Sequence, residues 1–380
     1  MSRLSSRLAA GTLVLALPLA AAAGCGVVKK RTIKQELSSA RDHLYGSKAL
    51  SMTLRLDDRL GNLRALATGS DGLHPATARD LIGASISYTV DPTSDKTLRD
   101  LRFSSDTSSA ALKRDLRDVN VAFVVRDAHA VVGEIRLVDA TLYARVDLGE
   151  IDRVAKEEGS DGVLSGFDRF ASSAPPEYHQ ALADVRAGRW LKLPLDPYLA
   201  KVQDLAKGFQ TPQPAAHGRL GSDLYAAIRP SIKVTDANDS SRDRVLDVRV
   251  DARAALTSAV AVLKAERGLP FASAIAHVTA ADIADNVAAG TVDGRITLHS
   301  GHLAQVSLDL QSIKRLDPHS TSGTLAGTSL VVDIDDSAPA VTAPTDNVSA
   351  VDVKALVDDL FRQFTQAFTG SGFSVSSQGG

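Results

Sequence analysis

The residue whose setting most clearly implies chemistry is Cys25, the single cysteine among 380 residues. Arg3 and Arg7 stand upstream, Leu8 to Ala20 is apolar, and Ala21-Ala22-Ala23-Gly24 is a run of small residues. A positive n-region, an apolar stretch and small residues together have the form of a processed targeting segment. One cysteine excludes an intrachain disulfide framework and any zinc or iron–sulfur site built from cysteines.

The other chemically suggestive residues have plainer readings. His299 and His302 flank Ser300-Gly301 with no third ligand nearby in sequence, which makes them turn residues rather than a metal pair. Asp236 to Asp243 starts like a calcium loop, but its sixth position is Ser241 rather than glycine and strand patterns flank it. A hairpin loop is the expectation. Asp333-Ile334-Asp335-Asp336 is the polar end of a strand, with no second carboxylate pair or nucleophile set against it. Tyr143 and Trp190 are either core aromatics or ligand-facing ones. No phosphate loop, dinucleotide fingerprint, zinc-protease helix or nucleophile elbow occurs. No enzyme, catalytic residue, metal or cofactor is therefore expected. The formal net charge of -2 and the 4% aromatic content argue against nucleic-acid binding. The 44% hydrophobic and 23% charged shares describe a globular chain.

The segment ending at Cys25 resembles the lipobox of bacterial lipoproteins, in which small residues precede the modified cysteine. Ala22 stands where leucine is more usual. The resemblance implies that the Cys25 thiol carries a diacylglycerol and becomes the mature N-terminus. With a further acyl chain such as palmitate, the protein would be held on the extracytoplasmic face of the cell membrane, since two chains anchor stably and one is marginal. The alternative is an uncleaved span, because Leu8 to Val28 is about long enough to cross a bilayer, although Pro18 interrupts it. Lys29-Lys30-Arg31 follow, either against anionic headgroups or as a solvated tether. Removing Met1 to Gly24 deletes two arginines and no acid, which takes the formal charge to -4.

Beyond this tether the elements can be read from periodicity. Leu50, Met52, Leu54 and Leu56 alternate with Ser51, Thr53, Arg55 and Asp57, a strand with one apolar and one wet face. Similar strands are expected at 84–91, 118–126, 131–138, 141–147, 231–235, 244–251, 292–299, 303–312 and 329–335. Asp139-Ala140 and Ser300-Gly301-His302 are short enough for hairpin turns. Helices are expected at 35–44, 59–67, 75–82, 148–158, 176–187, 197–208, 252–266, 271–289 and 351–368, followed by a Gly/Ser-rich tail. Strands and helices do not alternate one to one. The expected class is α+β, with a large curved antiparallel sheet whose concave face is covered by helices. The division is a signal segment at 1–24, a lipidated tether with the first helix at 25–49, an α+β domain at 50–345 and a C-terminal segment at 346–380. A subdomain break near 209–219 is an alternative, because Thr211-Pro212-Gln213-Pro214 reads as a linker.

The order of these pieces resembles actinobacterial lipoproteins of the LppX/LprG type, which share the LolA-like half-barrel. The residues that carry the resemblance run from the strand at Ala49–Asp57, through Val138-Asp139-Ala140-Thr141-Leu142-Tyr143 and Gly188-Arg189-Trp190-Leu191, to Val341-Thr342-Ala343-Pro344. The resemblance implies a half-barrel that holds acyl chains of lipids or glycolipids between sheet and helices. Leu54, Leu56, Val121, Tyr143, Trp190, Val306 and Leu308 would then face the ligand. The implied partners are the membrane, through the anchor, and a lipid, with the protein a monomer. The same aliphatic residues equally suit a filled core, in which case the chain is a structural or protein-interaction lipoprotein.

Overall fold

The computed structural model describes residues 32–63, 80–93, 95–101, 109–157, 159–196, 214–239, 243–265, 275–318 and 324–350. Cys25, the expected helices at 197–208 and 351–368, and residues 64–67 and 75–79 of those expected at 59–67 and 75–82 lie outside the described residues.

Among the described residues, twelve strands form one curved, unclosed sheet. The first six are β1 (Leu50–Asp58), β2 (Ser85–Pro92), β3 (Val119–Arg126), β4 (Val131–Val138), β5 (Thr141–Val146) and β6 (Trp190–Pro194), and they pair in sequence order as an antiparallel meander. A second meander is built from β7 (Ile232–Asp239), β8 (Asp243–Asp251), β9 (Thr291–His299), β10 (His302–Asp309) and β11 (Thr328–Asp335). The two meanders meet where β1 pairs antiparallel with β11. Short β12 (Val348–Ala350) adds in parallel to β6, so β12 and β7 are the sheet's two edges. The class is α+β, as the periodicity implies.

The period-two alternation runs through most of the sheet, interrupted by irregularities at Val125/Arg126, Asp236/Asn238 and Leu303/Gln305. The registers place Leu54 beside Ile86 on one side and Val332 on the other, and carry Val332 on to Val306 and Ile296. One face is thus aliphatic from β6 to β7. The opposite face carries Ser51, Thr53, Arg55, Asp333, Gln305 and Arg295. Two tight hairpins hold the registers. Asp139 and Ala140 both adopt positive φ, 46° and 53°, as do Ser300 and Gly301, 52° and 83°. That is the twist two-residue hairpin loops require.

The helices are α1 (Ile33–Gly46), α2 (Ser109–Arg117), α3 (Leu148–Glu157), α4 (Leu164–Ser173), α5 (Pro176–Arg186), α6 (Pro214–Ile228), α7 (Ala252–Ala265), α8 (Ala280–Asn286) and α9 (Leu310–Lys314). The N-terminus of α1 is fixed by a capping box, with the Gln35 amide donating to the Thr32 hydroxyl and the Thr32 amide to the Gln35 side chain. Its Ile33, Leu37 and Ala40 pack on Leu246, Val248, Ile296, Leu298, Leu303 and Val306, the core of the second meander. Arg244 braces it by pairing with Glu36 and, at 2.6 Å, with Asp236.

Three expectations need correction. The strand expected to run to Ser312 ends at Asp309, whose carboxylate accepts from the Gln311 amide and starts α9. Of the alternative break near 209–219, residues 209–213 lie outside the described residues, and from Pro214 onward the chain is α6, with its proline in the first turn. The long helix expected from 271 has α8 as its main part among the described residues, begun by a Thr279–Asp282 capping box.

Candidate functional site

The aliphatic face is occupied unevenly. Over the second meander α1 covers it, and Val306 and Leu308 are buried there. Over the first meander four large residues on this same face stay open: Ile86 (40% exposed), Tyr88 (38%), Phe123 (37%) and Ile135 (46%). They are neighbours by register, with Tyr88 opposite Phe123, Phe123 opposite Ile135, and Ile86 opposite Val125, two residues along from Phe123. Leu54, opposite Ile86, and Val121, opposite Val90 and Leu137, continue the patch inward, and Leu56 extends the face toward Leu330. Partial burial pushes the Tyr88 hydroxyl pKa up, so this patch carries no charge at neutral pH. Single exposed apolar residues are ordinary, but a contiguous group marks a place that something covers.

Five of the seven residues that the sequence assigns to a ligand face, Leu54, Leu56, Val121, Val306 and Leu308, therefore share one face. The structure places Tyr143 and Trp190 on the other. Tyr143 stands opposite Arg136 in β4 and Lys192 in β6, with the Lys192 ammonium 6.0 Å from its ring. Trp190 is buried beneath two guanidiniums, those of Arg136 and Arg145, 5.0 and 4.7 Å from its ring centre. Both arginines share the buried carboxylate of Glu134. Arg136 Nε donates to Oε1 at 2.7 Å, and Arg145 Nη2 donates to Oε2 at 2.8 Å. The backbone at 342–347 passes over this cluster. Arg136 Nη1 donates to the Thr342 carbonyl at 2.9 Å, and the Trp190 amide donates to the Asn347 carbonyl at 3.0 Å. Between this strap and the arginines lies an open cleft of about 360 Å³.

Elsewhere on the polar face the carboxylates have structural partners. Asp333 accepts from Arg55 Nε at 2.6 Å and from Gln305 at 2.7 Å. Burial alone would raise the Asp333 pKa, but the bonds from Arg55 and Gln305 outweigh it and hold the carboxyl below its ordinary value. His299 pairs with Asp243 and His302 with Asp336, each at 2.6 Å, and the His43 ring lies 4.5 Å from that of His302. Among the described residues no group of three or more His, Cys, Asp or Glu is placed to hold a metal, and no helix is long and apolar enough to cross a membrane.

Two features of this site are not visible in the periodicity. The open patch was hidden because period two says which face a residue is on and nothing about what covers it. The Glu134 cluster did leave a signal, since Glu134 and Arg136 interrupt an otherwise apolar strand at alternate positions.

No protein-family model and no curated protein matches the chain. A comparison with solved structures finds the Mycobacterium tuberculosis lipoprotein LppX at a TM-score of 0.27 and 9% sequence identity, over 81% of this chain and 96% of that chain. At that score the likeness carries no part of the functional argument.

Proposed function

We propose that the chain is an envelope lipoprotein, held on the extracytoplasmic face of the membrane through a lipid on Cys25, that binds acyl chains on the open half of its aliphatic face. The observation that carries this reading is the contiguous patch of Ile86, Tyr88, Phe123 and Ile135, left partly exposed on a face that α1 closes elsewhere. The two aromatics alone leave roughly 150 Å² open, taking about 200 Å² for a whole side chain. Covering that area with a methylene chain is worth about 4 kcal/mol before association costs. Leu54 and Val121 would meet the chain from below, and the lack of charge on the patch suits it. Residues 1–24 act as the leader and 25–32 as the tether, while α1 belongs to the fold it caps.

The closed core under α1 favours a second reading, in which the open patch receives an envelope protein instead. One experiment separates the two. The Cys25→Ser chain is purified from two unrelated hosts, extracted and analysed by mass spectrometry. About one lipid per chain is expected. Clean protein from both hosts, with no saturable uptake of a fluorescent fatty acid, refutes the acyl reading. The anchor has its own test: an unmodified Cys25 thiol in the membrane fraction refutes it.

A further inference from the structure

The polar face carries a second site, and we propose that the cleft over Trp190 binds a phosphate group through Arg136 and Arg145. This does not rest on the acyl reading, because the cleft and the apolar patch lie on opposite faces of the sheet.

The argument starts from charge. Two guanidiniums share one carboxylate, that of Glu134, and no other acid lies within 4 Å of either in the described residues. A structural ion pair would need one arginine. Here one positive charge is left over in a half-buried setting, the two arginine side chains being 26% and 37% exposed. Stacking on Trp190 holds both guanidiniums in place without using their N–H groups. Glu134 takes Nε and Nη2 of Arg145, whose Nη1 makes no hydrogen bond among the described residues. Arg136 gives one Nη1 proton to the Thr342 carbonyl and keeps the other.

The cleft these protons border is donor-rich. Thr342, Thr345 and Asn347 of the strap line it, together with the guanidiniums. Its volume of about 360 Å³ holds a phosphate with room for a substituent. Glu134 engages Nε and Nη2 of both arginines, so the protons left for an anion are those on Nη1, charged donors that make short bonds to phosphate oxygens. One lining group opposes an anion: the exposed carboxylate of Asp346 at the rim. The phosphate could be free or the headgroup of an anionic lipid, since the recognition chemistry is the same.

Trp190 is the only tryptophan in the chain, so its emission reports this cleft directly. The Cys25→Ser chain is titrated with inorganic phosphate at constant ionic strength, chloride replacing phosphate in the control. Saturable change in emission is expected. Arg145→Gln should raise the dissociation constant at least tenfold, and Asp346→Asn should lower it severalfold. Vesicles of phosphatidylglycerol, compared with phosphatidylcholine, form the second arm. A response to phosphate alone assigns the free anion, and a response to phosphatidylglycerol as well assigns the headgroup. No saturable response in either arm overturns the proposal, as does unchanged affinity in Asp346→Asn, a surface substitution that leaves the Glu134 pairs intact even if Arg145→Gln fails to fold.

Discussion

Ile86 and Ser87 are adjacent in β2 and face opposite ways, Ile86 into the open apolar patch and Ser87 onto the polar face, where its hydroxyl lies 2.9 Å from that of Thr53. Replacing each with aspartate tests the acyl-chain reading with a built-in control. Fully burying an isoleucine is worth roughly 1.5–3 kcal/mol. Ile86 is 40% exposed, so a chain lying on it gains about 1 kcal/mol from this residue. Aspartate removes that gain and adds the cost of taking a carboxylate out of water, several kcal/mol in a protein setting. The loss is at least about 3 kcal/mol, or roughly a hundredfold in dissociation constant. Displacement of a fluorescent fatty acid measures it, with circular dichroism melts on both variants. Ser87→Asp should bind within threefold of the parent. The reasoning is refuted if Ile86→Asp also binds within threefold, or if Ser87→Asp weakens binding as much.

Three further outcomes follow from packing and charge. Glu134→Gln leaves two arginines facing each other without their shared carboxylate and should destabilise the fold by about 3 kcal/mol, seen as a lower urea midpoint; an unchanged midpoint would contradict the charge argument. A Cβ on Gly294 would sit 2.7 Å from the Ser307 carbonyl oxygen, so Gly294→Ala should cost about 1–3 kcal/mol by displacing β9 from β10, measured by thermal melting. The Arg55–Asp333 pair is about 40% exposed and should be worth under about 1 kcal/mol. Because the folded-state pKa of Asp333 is lowered, its contribution is complete above the ordinary carboxylate value of about 4 and is lost as pH falls through the depressed value. The stability gap between the parent and Arg55→Ala should therefore be flat at neutral pH and shrink under acid conditions; a gap that grew there would be the wrong sign.

How much could be read beforehand depended on where each signal resides. Strands β1 to β5 were legible because one wet face imposes alternation on the chain itself. The helix at Leu164–Ser173 was not, because its first amides, Val163 and Leu164, are capped by Asp152 from α3, a partner eleven residues or more away. Strand β6 was hidden for a similar reason. Its five residues are defined by pairing to β5 and to the returning chain at Val348–Ala350, not by any pattern of their own. The sequence also placed Trp190 and Tyr143 with the aliphatic residues, since aromatics read as apolar. The registers set both against arginine and lysine, contacts that single-residue character cannot express.

The junction of β1 and β11 sits in the middle of the sheet, yet it joins residues as far apart in the chain as Arg55 and Asp333. Everything between must be made before that pairing can form. A chain emerging from its N-terminus therefore has the first meander in hand while β1 still presents an unpaired edge beside an apolar face. High sequence separation slows closure of such a seam, and slow closure is when edges find wrong partners. The predicted consequence is a folding intermediate that tracks the arrival of β11, so that chains truncated before Thr328 should aggregate where the complete chain does not.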